Sequence, residues 1–291
     1  MVMTAQRKRR AEPITPGEFL FTADDFQVIA STLDEVTGIH LPDTKAPLVY
    51  SRLAKRLRAL RLENFSDYCS LLASPDGDEE RNNMIASLTT NVTRFFREGH
   101  HFDHLKKISL PPLLEQAKRG RRLRIWSAGC SNGSEPYSIA FCILELMPDA
   151  ASYDIKILAS DIDDRILKDA REGIYDEKFV GEMPVELRNK YMHRTRRGVD
   201  EWQVSDEVKK LVSLRNLNLN GPWPMKGPFD IIFCRNVVIY FQEDTQQKIW
   251  QRFSSSLAPD GWLFIGHSER VTGPAVSDFG FEGATMYRKK T

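Results

Sequence analysis

Residues 123–137 read LRIWSAGCSNGSEPY, and this stretch decides the fold. An apolar run, Leu123 to Trp126, stops at the small-residue turn Ser127-Ala128-Gly129-Cys130-Ser131-Asn132-Gly133-Ser134. Glu135 then opens an apolar run, Ile139 to Met147, that reads as a helix. Strand, glycine turn and helix form the first unit of a doubly wound α/β domain. The glycines let backbone approach a ligand closely. The turn is not a clean G-x-G-x-x-G and lacks the Lys-Ser/Thr ending of a phosphate loop. A small-residue turn closed by Glu suits a ligand with a positive amino group and no phosphate, which points to S-adenosylmethionine. The plain alternative is the βα turn of any α/β domain.

Working outward, the whole chain sets the bounds. Its 291 residues suffice for two domains or one large one. A net charge of +1 gives no global electrostatic case for nucleic acid. No apolar run approaches the ~20 residues of a membrane helix. Arg7 to Arg10 are basic, but Ala11-Glu12-Pro13 follows instead of an apolar core, so residues 1–21 read as a disordered basic tail and not a secretory signal. Cys69, Cys130, Cys142 and Cys234 form no C-x-x-C pair and read as reduced thiols of a cytoplasmic protein.

Upstream of the turn, residues 22–90 read as helical. Thr22 followed by Asp24-Asp25 signals a helix start, Phe26, Ile29, Leu33 and Val36 recur at helical spacing, and Gly38 ends the run. A second helix starts near Asp43-Thr44, with Leu48, Val49, Leu53, Leu57 and Leu60 as its apolar members. Its basic residues include Lys45, and Arg52, Lys55 and Arg56 make a basic stripe beside that face. It is either a solvated face or a docking surface for an acidic protein or nucleic acid, and the lack of interleaved aromatics argues against nucleic acid. Short helices near 65–73 and 79–88 flank a loop at 74–78. Residues 89–97, TTNVTRFFR, favour a turn or extended chain, and residues 91–104 read as a linker lining a cleft, with Phe95 or Phe96 packed in a core. His100, His101 and His104 lack an acid or Cys to complete a metal set, so no metal is expected. A helix follows near 110–119.

Downstream, Ile155 to Ala159 is a second strand ending in Ser160-Asp161-Ile162-Asp163. An acid there is placed for ribose hydroxyls. The alternative is a helix cap, which Asp163 equally supplies. Residues 173–215 break the alternation, and an inserted β-subdomain at about 178–211 is expected, with a hairpin from 191–194 to 202–204. Val212 to Leu219 reads as the next strand. Phe229 to Cys234 is the clearest strand, ending in Arg235-Asn236 and followed by Val237 to Phe241. A helix from 243 to 257, a turn at Pro259-Asp260-Gly261, a strand over 262–266 and a closing hairpin complete an α/β domain over 105–291.

Several segments, TTNVTRFFRE, ASDIDDRIL, GPFDIIFCRNVVIYF and LFIGHSE, together with the glycine turn, resemble the CheR family of chemotaxis receptor methyltransferases. The resemblance runs in order from about residue 22 to 290. It implies a seven-stranded S-adenosylmethionine-dependent methyltransferase domain with a small inserted β-subdomain, preceded by an all-helical N-terminal domain. It also implies methyl transfer to receptor glutamates, giving methyl esters and S-adenosylhomocysteine. The family's cofactor contacts carry over as Asn91, Thr93, Arg97, Glu135, Asp161, Asn218, Leu219, Arg235 and Asn236, with Asn216-Leu217 as a second register for the Asn-Leu pair. Arg97 and Tyr240 are the residues nearest to transfer chemistry. The basic second helix, with Lys45, Arg52, Lys55 and Arg56, matches the family's receptor-docking helix. The implied partner is the cytoplasmic domain of methyl-accepting chemotaxis receptors, met by a monomer without nucleic acid or membrane insertion. In some members the β-subdomain grips a receptor C-terminal peptide; here the hairpin is Arg-rich and its turn departs from that form.

Two other classes compete. A DNA amino-methyltransferase would show Asn/Asp-Pro-Pro-Tyr/Phe after the fourth strand; this chain has Arg235-Asn236-Val237-Val238-Ile239-Tyr240. A non-catalytic cofactor-binding module, or a protein of another chemosensory pathway, is the other.

Overall fold

The computed structural model describes residues 12–195 and 200–291. The basic run Arg7 to Arg10 and the hairpin residues Arg196, Arg197 and Gly198 lie outside the described residues. The chain divides after Thr89 into two compact units.

The first unit is helical. Helix α1 (Ala23–Thr37) starts at a reciprocal capping box, in which Thr22 and Asp25 each satisfy the other's backbone N–H, and stops at Gly38 with φ 80°. Phe26, Ile29 and Leu33 face inward, whereas Val36 is exposed. Helix α2 (Ala46–Leu60) follows a 3-10 turn at Asp43–Lys45 and buries Val49, Leu53 and Leu57. Helices α3 (Phe65–Ala73) and α4 (Asp78–Leu88) complete the unit, joined by a 3-10 turn at Pro75–Gly77. Phe21, Phe65 and Tyr50 pack ring against ring at its centre, the Phe21 and Phe65 centroids 4.3 Å apart.

The second unit opens with irregular chain to Glu98, then α5 (Gly99–His104), a π turn (Leu105–Ser109) and α6 (Leu110–Lys118) in direct succession. The stretch 91–104 is thus irregular only in its first part: with Gly99 past the strained Glu98, nothing prevents helix from starting, and Phe102 and Leu105 bury. Strand β1 (Leu123–Ala128), helix α7 (Ser134–Leu146), strand β2 (Ile155–Asp161) and helix α8 (Asp164–Glu172) follow. Helix α7 is buried on nearly every side from Ser134 to Leu144, which is why its sequence is apolar all round. The insertion holds β3 (Ile174–Asp176), α9 (Glu177–Val180), α10 (Val185–Tyr191), β4 (Met192–Arg194), β5 (Glu201–Val204) and α11 (Asp206–Lys209). Its antiparallel sheet runs β3-β5-β4, so it begins at Ile174, before the expected 178, and has a third strand beyond the expected hairpin.

Strands β6 (Val212–Asn216) and β7 (Phe229–Cys234), helix α12 (Glu243–Ser256), and strands β8 (Leu257–Ile265), β9 (Phe279–Gly283) and β10 (Met286–Lys289) close the chain. Among the described residues the main sheet has seven strands in the order β6-β2-β1-β7-β8-β10-β9. β6, β2, β1, β7 and β8 are parallel, and β10 is antiparallel to both β8 and β9. Two expectations shift. β6 ends at Asn216, opposite Asp161, and not at Leu219, because Leu217 is the last residue whose N–H reaches β2. The Pro259-Asp260-Gly261 turn lies inside β8, as an irregularity where the register against β7 shifts and Asp260 takes φ 59°. All four cysteines are free and buried, and burial pushes Cys69 and Cys142 up to about 12, so they are unreactive thiols.

Candidate active site

The C-terminal ends of β1, β2, β6 and β7 meet at one edge of the sheet, where ligands bind in such folds. The turn after β1 holds Gly129 at φ 79°, Ser131 at φ 50° and Gly133 at φ 88°. A Cβ on Gly129 would collide with the Val237 side chain, so the glycine turn and the loop after β7 are in contact. At Gly133 a Cβ would lie 3.0 Å from Ala170 and Tyr137. The glycines here are needed for packing as well as for their left-handed backbone.

Asp161 ends β2, and its carboxylate accepts the backbone N–H groups of Ser131 at 2.8 Å and Asp163 at 3.1 Å. Burial raises its pKa, opposed by those two N–H groups. The helix-cap role belongs to Asp163, which accepts from Arg165 N–H at 2.9 Å at the start of α8. Asn91 ties the irregular segment to this edge: its amide donates to Asp163 at 3.2 Å, and its carbonyl accepts from the Ser131 hydroxyl at 3.1 Å. Thr93 lies on the same segment, half-buried. Asn218 lies two residues past β6 and accepts from Asn220 N–H at 2.9 Å. Leu219 is buried, and its carbonyl accepts from Arg252 at 2.8 Å and Trp223 at 3.1 Å.

A chain of charges lies beneath these groups. Glu135, in the first turn of α7, accepts from Ser127 Oγ at 2.7 Å and Arg235 Nη1 at 3.1 Å. Burial raises its pKa and Arg235 partly counters this. Arg235 is buried, pairs with Glu98 at 3.4 Å as well, and donates to the Arg97 carbonyl. Burial pulls the Glu98 pKa up, but Arg235, His267 and His101 outweigh it and hold the carboxyl below the usual range. Arg235 is thus committed to two acids and one carbonyl, a role the sequence does not reveal.

Arg97 sits between two residues in the left-handed region, Phe96 at φ 52° and Glu98 at φ 57°. Such conformations in a non-glycine residue cost about 1–3 kcal/mol each and cluster at functional sites. The Phe96 N–H is held by Ser138 Oγ at 3.0 Å, and the Arg97 guanidinium donates to the Val92 carbonyl at 2.9 Å. Phe95 is the buried member of the Phe pair and Phe96 packs half-buried. After β7, Asn236 takes φ 59°, and its buried Oδ1 has no hydrogen-bond partner among the described residues. A 3-10 turn at Val238–Tyr240 sets the half-buried Tyr240 on the same loop. Glu269, unsuspected from sequence beyond its place after β8, accepts backbone N–H groups from this loop.

The histidine cluster differs from expectation. An acid, Glu98, does stand beside His100 and His101, while His104 belongs elsewhere and bonds Ser109 at 2.9 Å. The Arg235 guanidinium, 3.4 Å from the Glu98 carboxylate, already supplies the positive charge a metal would bring. His101 is fully buried, 2.8 Å from Thr285 Oγ1, and burial, then Arg235, pulls its pKa down to about 3.

The expected docking stripe on α2 is also divided in its use. Arg56 forks onto the buried Glu80 at 2.9 and 2.5 Å, with Tyr68 and Asn83 completing the carboxylate's bonds. Arg52 donates to the carbonyls of Leu88 at 2.7 Å and Thr89 at 2.9 Å, where α4 ends and its carbonyls lack helical partners. Lys45 and Lys55 are exposed.

Family models match both units. Residues 24–89 match the CheR methyltransferase all-alpha domain, and residues 91–287 match the CheR methyltransferase SAM binding domain. The chain belongs to the CheR methyltransferase family. It is 54% identical over 255 residues to a probable chemotaxis protein methyltransferase of Rhizobium etli, covering 87% of this chain and 95% of that protein. It is 43% identical to chemotaxis protein methyltransferase 2 of Pseudomonas aeruginosa, covering 87% and 88%. The Escherichia coli chemotaxis protein methyltransferase is 41% identical, covering 90% and 89%. S-adenosylmethionine is therefore the cofactor, with S-adenosylhomocysteine as product. The donor set fits it: acids near the ends of β1 and β2, no phosphate-binding Lys in the turn, and an orphaned buried acceptor at Asn236. Among the described residues no helix is long and apolar enough to cross a membrane.

Proposed function

We propose that this methyltransferase acts on glutamate side chains in the cytoplasmic domain of chemotaxis receptors, giving methyl esters that adjust receptor signalling. The observation that carries this reading is the loop after β7, Arg235 to Tyr240. It lacks the proline-proline-aromatic pattern of an amino-methylating enzyme and sits beside a network in which Arg235 stands between Glu135 and Glu98.

The cofactor supplies a methyl group on a positive sulfur. A glutamate carboxylate has a reference pKa of about 4.3, so it arrives ionised and needs no proton removed. Charge is neutralised as the methyl moves, so excluding water and holding the reacting atoms in line favour transfer. In this reading Asp161 accepts hydrogen bonds from the ribose, and Glu135 faces the amino group from the start of α7. Asn91, Thr93, Asn218, Leu219 and Asn236 shape the cofactor's cradle. Arg97 holds the cofactor carboxylate, because a cation clamped on the attacking oxygens would weaken the nucleophile. Arg235 contributes by holding Glu135 and Glu98 in place. Tyr240 orients the methyl donor or the substrate by packing and one hydrogen bond. Lys45, just before α2, and Lys55 on it meet the receptor's acidic surface, while Arg52 and Arg56 stiffen the helix behind them.

Peptide mapping by mass spectrometry after incubation with receptor-containing membranes and cofactor tests this reading. One added methylene on receptor glutamates is the expected result. Methylation confined to lysine, arginine or nucleic acid would overturn it.

A further inference from the structure

Glu269 follows β8 and is buried, and among the described residues its hydrogen-bond partners are backbone amides. One oxygen, Oε1, accepts the N–H groups of Val237 at 2.9 Å, Val238 at 2.8 Å and Ile239 at 3.3 Å. The other, Oε2, accepts those of Asn236 at 2.9 Å and Gly266 at 2.6 Å. Four consecutive N–H groups thus curl around one anion immediately before Tyr240. Without it, buried N–H groups would lose their partners, and Asn236 would lose the support that holds its left-handed backbone. The loop is also pressed against the end of β8, since a Cβ on Gly266 would lie 2.7 Å from Asn236 N. With five donors on two oxygens, the carboxylate is saturated and has no capacity for a ligand.

We propose that Glu269 is a positioning residue for methyl transfer: it fixes the 236–240 loop and thereby the approach of Tyr240 to the reacting groups. The proposal rests on the reading that Tyr240 stands at the transfer step. A carboxamide of the same shape tests it, because its NH2 must point at N–H donors. In full-length Glu269→Gln, S-adenosylhomocysteine stoichiometry by calorimetry counts folded sites, and receptor methylation is measured per site. The expected result is a kcat lower by about 10–100-fold, the usual cost of misplacing a group by an ångström, with KM for receptor little changed. On a Tyr240→Ala background the same substitution should cost far less, since both act through one loop.

Should Glu269→Gln fail to fold, Glu269→Asp keeps the anion but withdraws it by one methylene, and an intermediate loss of kcat is expected. Wild-type kcat per site in either variant, or full multiplication of the two losses in the double variant, would overturn the proposal while leaving receptor methylation standing. Absence of receptor methylation by the unmodified protein would overturn that reading, and this proposal with it.

Discussion

Arg52 and Arg56 of α2 and Arg235 after β7 are placed alike by sequence and used alike by structure. Arg52 and Arg56 belong to a helical stripe that suggests an acidic partner, and Arg235 belongs to a motif that suggests a cofactor. In both units the guanidinium turns inward instead. Arg56 neutralises Glu80, Arg52 satisfies carbonyls where α4 ends, and Arg235 bridges Glu135 and Glu98. Lys45 and Lys55 are exposed instead, and Tyr240 is half-buried on the loop after β7. The guanidinium's fork of donors suits several buried acceptors at once, whereas an ammonium is a strongly hydrated point charge. Charges in this molecule thus divide into those committed to the protein and those open to a ligand.

Removing a committed charge should have the largest effect. Arg235→Met leaves the buried Glu135 and the half-buried Glu98 without their guanidinium, and breaking such a pair costs about 3–5 kcal/mol. Thermal melting should fall sharply, and a wild-type melting curve would place Arg235 with the ligand-facing groups. Asp161→Ala removes a group assigned to the ligand. Cofactor affinity by calorimetry should fall by about 1–3 kcal/mol, the worth of hydrogen bonds to a charged group. Unchanged affinity would leave Asp161 only its bonds to Ser131 and Asp163.

His101 extends the comparison to a titrating group. Its pKa of about 3 lies below the ordinary value, so above the ordinary value its neutral burial carries no penalty. As pH falls from about 6.5 toward 3, the unfolded chain gains a proton that the folded one refuses, and stability is lost. At pH 5 this amounts to about 2 kcal/mol relative to pH 7.5. His101→Gln, melted at both pH values, should lack that component; an unchanged pH dependence would show that His101 does not carry it.

The smallest effects separate the two uses within α2. Arg56→Ala strands the buried Glu80 and should cost about 1–2 kcal/mol of stability, the penalty of an unsatisfied buried group. Lys55→Glu should change stability by less than about 0.5 kcal/mol, as surface substitutions do, yet raise KM for receptor. Equal KM changes in both variants, with equal stability, would erase the distinction.

The fold was legible because its signals are local. Thr22-x-x-Asp25 caps α1, Gly38 ends it, and the glycine turn joins a buried strand to a buried helix. Asp161 reached the strand end expected of it because strand period and burial place it there. The same local reading started β8 too late, at Trp262 and not Leu257, because Pro259-Asp260-Gly261 is a turn signature that pairing with β7 overrides. It also missed Glu269 and the true partners of Arg235 and Arg52. Those bonds join residues far apart in sequence, and nothing in a single chain of letters says whether an arginine faces in or out.

The most direct test of the account is methyl transfer from radiolabelled S-adenosylmethionine to receptor-containing membranes, followed by mild alkali. Label on receptor protein that is released as volatile methanol is the predicted result, since a carboxyl ester hydrolyses under those conditions. Alkali-stable label, or none despite measured cofactor binding, would contradict it.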